Sequence, residues 1–124
     1  MVRFYFNVFS GRFENEASAR HFAEYSYPPE VVDESSELPT CPLAIAVGAD
    51  FTSDFRETIW GDDRYEYLSS LLLDPDDLDR ARQRAAEDDN VLFLIFELDR
   101  NKGLTFSQQP VGLRACGRFR GAWK

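Results

Sequence analysis

Val91-Leu-Phe-Leu-Ile-Phe96 is the longest apolar run in the chain, and its reading decides the fold. Six apolar residues with no polar alternation are the pattern of a central strand covered on both faces. The run extends to about Leu98, and Asn101-Lys102-Gly103 then supplies turn chemistry. Beyond the turn, residues 111–120 alternate. Leu113, Ala115 and Phe119 are expected inward, and Arg114, Cys116, Arg118 and Arg120 outward. Far upstream, Arg3-Phe-Tyr-Phe-Asn-Val-Phe9 alternates as well, with Phe4, Phe6 and Val8 on one face and Arg3, Tyr5 and Asn7 on the other. Phe55-Arg-Glu-Thr-Ile-Trp60 completes a set of four strands.

Helices fall between these strands. One is expected from about Asn15 to Tyr25, with Asn15 as N-cap, Glu16 favoured by the helix dipole, and Ser18, Phe22 and Tyr25 as its buried stripe. Residues 27–42 hold four prolines among Ser and acidic residues and read as one long loop. Leu43-Ala-Ile-Ala-Val47 is then a short strand or a single turn of helix. Gly61 ends the strand before it, and Asp63 with Glu66 has the spacing of a capping box for a helix carrying Tyr65, Leu68 and Leu72. Asp74-Pro75-Asp76-Asp77 is the strongest local signal: an N-cap acid, proline at the first helical position, then two acids at the positive end of the dipole. That helix should carry Leu78, Ala81 and Ala85 inward and end near Asp88, where acids oppose the dipole and suggest fraying or a use for the charge. The whole describes a single α+β domain over residues 1–124. Its centre is a mostly antiparallel sheet of about four strands, with helices mainly on one face.

Composition narrows the function. The chain has 124 residues, 44% of them hydrophobic and 29% charged, as in an ordinary folded globule. No apolar run approaches the roughly 20 residues needed to span a bilayer. Met1-Val-Arg-Phe-Tyr-Phe runs straight into strand pattern without a signal-peptide core, so the cytoplasm is the expected location. Cys41 and Cys116 are too few for a disulfide framework or a zinc site and read as reduced thiols, one bridge between them staying open. The net charge is −8, unevenly placed: residues 50–89 carry thirteen acids and five bases, whereas residues 90–124 carry two acids and six bases. An acidic centre repels nucleic acid and anionic membranes and attracts basic proteins or cations.

Catalytic signatures are missing. His21 is the sole histidine, no Gly-x-Ser-x-Gly elbow occurs, and no glycine-rich phosphate loop is present. Asp50, Asp54 and Glu57, or Asp74, Asp76, Asp77 and Asp79, offer oxygen ligands, but neither set matches a calcium loop. We therefore expect no catalytic residues, no metal and no cofactor. What stands out is a stretch of acids interleaved with aromatics: Asp50, Asp54, Glu57, Trp60, Asp62, Asp63, Tyr65, Glu66 and Tyr67. Trp and Tyr anchor protein interfaces, and complementary charge speeds encounter with a basic partner. Asp50, Asp54, Glu57, Trp60, Asp62, Asp63, Glu66 and Tyr67 are the candidate partner-binding residues, with Trp60 as the anchor.

In their order these segments resemble the polymorphic-toxin immunity proteins of family 22. The likeness runs from Phe9-Ser-Gly-Arg-Phe13, stepping from first strand into an acidic helix, through Asp54-Phe-Arg-Glu57 at a strand opening. It continues through the helix pair and the apolar strand to Gly117-Arg-Phe119. The family tends to have Trp where this chain has Phe9, and the proline-rich loop is this chain's own. The resemblance implies a small α+β protein without catalytic residues. Such a protein binds and neutralises a cognate toxin, often a nuclease, in the cell that makes it.

Overall fold

Four strands form one sheet: β1 (Val2–Gly11), β2 (Arg56–Trp60), β3 (Val91–Phe96) and β4 (Arg114–Trp123). The computed structural model describes residues 2–24, 41–49, 51, 55–98, 105–107 and 109–123. The strand order is β2-β3-β1-β4, and every neighbouring pair is antiparallel. The class and the sheet are those expected from the alternation of apolar residues. All six β3 residues are buried, so the uninterrupted apolar run does mark an interior strand.

Helices lie on both faces of this sheet rather than mainly on one. Val91, Phe93 and Ile95 of β3 join Phe9 of β1 in a core covered by α1 (Glu16–Phe22) and α2 (Pro42–Val47). Leu92, Leu94 and Phe96 join Phe4, Phe6 and Val8 in a second core, covered by α3 (Arg64–Leu71) and α4 (Asp76–Arg84). The physical reason is β3 itself. A strand apolar on both sides leaves a large apolar face in water unless both faces are covered.

Local signals place most helix starts. Asn15 Oδ1 accepts the Ser18 backbone N–H at 2.8 Å, and Asp74 Oδ1 accepts that of Asp76 at 3.0 Å, both as expected. Residues 43–47 resolve as helix, with Pro42 in the first turn and Gly48 closing it at φ 75°. Asp63 makes no side-chain cap. Its backbone (φ −82°, ψ 2°) lies outside the extended region from which a cap carboxylate reaches back to the first turn. The buried stripe of α1 is Ala19 and Ala23 rather than Ser18, which is exposed, and Phe22 is half-buried. Helix α4 ends at Arg84, one turn short of Asp88. Tyr25, the bulk of the proline-rich loop at residues 25–40, and the turn at 101–103 lie outside the described residues.

One irregularity reverses an expectation. The pairing of β1 with β4 slips between Val8, opposite Gly117, and Phe9, opposite Ala115. Cys116 is the extra residue of this bulge, and it turns into the α3/α4 core, fully buried, instead of outward. Cys41 belongs to the core on the other face, and the two cysteines form no disulfide with each other. Among the described residues no helix is long and apolar enough to cross a membrane.

Candidate interaction surface

Edge strand β2 leads through Gly61, Asp62 and Asp63 into α3, and this corner gathers part of the acidic–aromatic stretch. Glu57 stands opposite Leu94, whose side chain belongs to the α3/α4 core, so Glu57 and α3 share a face of the sheet. There the Tyr67 hydroxyl donates to Glu57 Oε2. Partial burial, with the hydrogen bond to Glu57 and its charge, pushes the Tyr67 phenol up to about 12. Asp62 and Asp63, in the turn into α3, and Glu66, in its first turn, are exposed, and none takes part in an ion pair among the described residues.

Glu14, Glu24, Asp76, Asp79 and Glu87 likewise form no ion pair among the described residues, whereas other acids do. Asp88 pairs with Arg12, Asp77 with Arg80, Asp89 with Arg114 and Glu97 with Arg118. The C-terminal basic row is thus partly neutralised from within. Arg118 is held by both carboxylate oxygens of Glu97, at 2.6 and 3.0 Å, and its guanidinium lies 3.8 Å from the Tyr5 ring centroid. Asp74 and Asp77, once candidate metal ligands, act as a helix cap and an ion-pair partner. Among the described residues no group of three or more His, Cys, Asp or Glu could hold a metal ion.

Trp60 does not join the acids. It sits opposite Val91 and packs, half-buried, against the α1/α2 core, on the face away from Glu57 and Tyr67. A strand alternates its side chains, and the spacing from 57 to 60 is odd. Tyr65 is also claimed by structure: its ring lies between the guanidiniums of Arg64 (4.8 Å) and Arg82 (4.6 Å). Asp50 and Asp54 lie outside the described residues. Of the eight candidates the structure therefore joins Glu57 to Tyr67, leaves Asp62, Asp63 and Glu66 exposed at the start of α3, and turns Trp60 to the other face of the sheet.

The sequence reading missed the joint beneath this surface. Asp89 is buried, and its carboxylate accepts from Ser10 Oγ (2.8 Å), the Ala86 N–H (2.9 Å) and Arg114 Nη1 (2.9 Å). Its backbone carbonyl accepts Arg64 Nη2 at 2.6 Å, which buries Arg64 at the start of α3. Asn90 follows, trading two hydrogen bonds with the Phe13 backbone at 2.9 and 2.7 Å. The only signal was the pair of acids at a helix C-terminus, where the dipole disfavours them. Their use is to tie β1, α3, α4 and β4 to one loop.

What the surface offers chemically is exposed carboxylates that form no ion pair among the described residues, and, on the same helix, a phenol held by Glu57. His21 is exposed on α1, away from this corner. No protein-family model, curated protein or solved structure matches the chain.

Proposed function

We propose that the protein is an immunity protein that binds and neutralises a cognate bacterial toxin in the cytoplasm of the cell that makes both. The observation that carries this reading is the run of exposed carboxylates at Asp62, Asp63 and Glu66, at the turn into α3 and in its first turn, none of them in an ion pair among the described residues. Unpaired acids carry little desolvation penalty until a basic partner arrives, and they then steer its approach. The ordered likeness to family 22 immunity proteins supports the same reading. The mechanism is obstruction: the acidic corner covers a basic substrate-binding surface of the toxin, often that of a nuclease. With Trp60 turned to the core, Tyr67 is the aromatic that takes the anchor position, its hydroxyl already fixed by Glu57.

The test is capture of partners on the tagged protein from the source cell's lysate, with low- and then high-salt washes. The captured polypeptide is then assayed for toxicity with and without the protein. A basic toxin silenced by rebinding supports immunity. A stable partner with no toxic activity makes the chain an acidic interaction module of another kind.

A further inference from the structure

Next to the bulge that buries Cys116 lies a groove over β1 and β4, bounded by residues 105–107 and Arg84. The groove encloses about 320 Å³ and is lined by Arg84, Phe9, Phe106, Ser107, Gly117 and Arg118, among others. Small-molecule sites begin at roughly this size, about 300 Å³. We propose that it binds an organic carboxylate carried on an apolar or aromatic body, with Arg84 as the anion's partner.

Three features of the groove select that ligand. Arg84 reaches the strand from the last turn of α4, and Nη1 donates to the Cys116 carbonyl at 3.3 Å, its one hydrogen bond among the described residues. The rest of the guanidinium fork is available, and a planar fork matches a carboxylate with two parallel hydrogen bonds. Its approach depends on Gly117, at φ 131°: a Cβ there would lie 3.0 Å from Arg84 Nη1. The second guanidinium, Arg118, is already satisfied by Glu97, so it walls the groove without adding a free charge. Apolar contact comes from Phe9 and Phe106, whose rings meet edge to face at 5.7 Å. Ser107 is pinned by its N–H to Val47 O, and its Oγ accepts from Gln109 N, which leaves the hydroxyl proton for a ligand oxygen.

A ligand there meets the Arg84 guanidinium, which forms no ion pair among the described residues, the hydroxyls of Ser107 and Thr105, an aromatic wall and the Arg118–Glu97 pair. The hydrogen bonds that already hold Arg84 and Ser107 lower the entropy cost of binding. This site is independent of the acidic corner and of the immunity reading, and its failure leaves both untouched.

The test is an amide-shift NMR titration of the full chain with benzoate, acetate and inorganic phosphate at constant ionic strength. Benzoate is expected to give saturable shifts at Phe106, Ser107 and Gly117, with acetate weaker because it lacks the apolar body. Arg84→Gln is expected to weaken benzoate about tenfold or more, the loss of a charge-assisted pair, with the rest of the spectrum unchanged. Arg84→Lys, which keeps the charge and loses the fork, should fall between. Arg84 is exposed, so both variants should keep the fold. Shifts that never saturate, or Arg84→Gln binding as well as the parent, overturn the site. Phosphate binding as tightly as benzoate overturns the apolar-body specificity.

Discussion

Arg114 Nη1 lies 2.9 Å from Asp89 Oδ1, a pair in which the acid is almost wholly enclosed and the base is half in water. The two ends are unequal in what they stabilise. Asp89 also accepts from Ser10 and from the Ala86 N–H, so its removal strands three donors, two of them inside the fold. Asp89→Ala is expected to lower unfolding free energy by about 3 kcal/mol or more, as when a partner is deleted from a buried polar cluster. Arg114→Ala should cost about 1–2 kcal/mol, because only one charged hydrogen bond is lost and water reaches the site. Urea denaturation of both single variants and the double variant checks the asymmetry.

Alkaline pH should weaken the fold. Burial, followed by the charge of Asp89, pushes the Cys116 thiol from 9.0 up to about 12, and the Tyr67 phenol rises from 10.0 to about 12. Both groups hold their protons longer folded than unfolded. Their contribution is intact below pH 9 and declines as pH rises toward 12. The thermal midpoint should fall over that window, and Cys116→Ala, at a cost of about 1 kcal/mol near neutrality, should make the fall shallower. Thiol reagents should leave native Cys116 unmodified at neutral pH.

Trp60→Ala is expected to cost about 2 kcal/mol of stability, less than a fully buried tryptophan, because the ring is half covered by the α1/α2 core. Asp62→Lys with Asp63→Lys should leave stability nearly unchanged and, if the proposed basic partner binds at this corner, slow association with it, most strongly at low salt. Stopped-flow association across a salt series separates the two effects. A salt-independent rate in the parent protein would remove the acidic corner from the account.

Much of this was legible in the chain and some was not, for reasons that differ by residue. The alternation of β1, the solid apolar run of β3 and Asp74-Pro75 each encode structure in adjacent residues, and each was realised. Cys116 was not legible, because its direction depends on a one-residue slip against β1, a property of two strands and not of either. Asp89 was not legible either: its partners Ser10 and Arg114 lie 79 and 25 positions away. The acidic–aromatic stretch was visible as composition. The odd spacing of Glu57 and Trp60 in a strand already put them on opposite faces; that α1 and α2 cover the Trp60 face and α3 the other was not legible.

Gly121 sets how closely α3 approaches β4. A Cβ there would lie 2.8 Å from carbons of both Phe4 and Phe6 and 3.0 Å from the Leu71 carbonyl oxygen. Gly121→Ala is expected to destabilise by about 2 kcal/mol through overpacking, read as a lower denaturation midpoint with an unchanged slope.

The sheet order carries a consequence for how the protein is made. β1 occupies the middle of the sheet, yet its partners are β3 and β4, so no strand pairs with it before residue 91 has been added, and its last rung joins Val2 to Trp123. During synthesis Phe4, Phe6, Val8 and Phe9 therefore wait outside the ribosome as an unpaired apolar ribbon, the kind of segment that chaperones bind and that aggregates when they do not. The sheet cannot close until β4 has emerged to pair with β1.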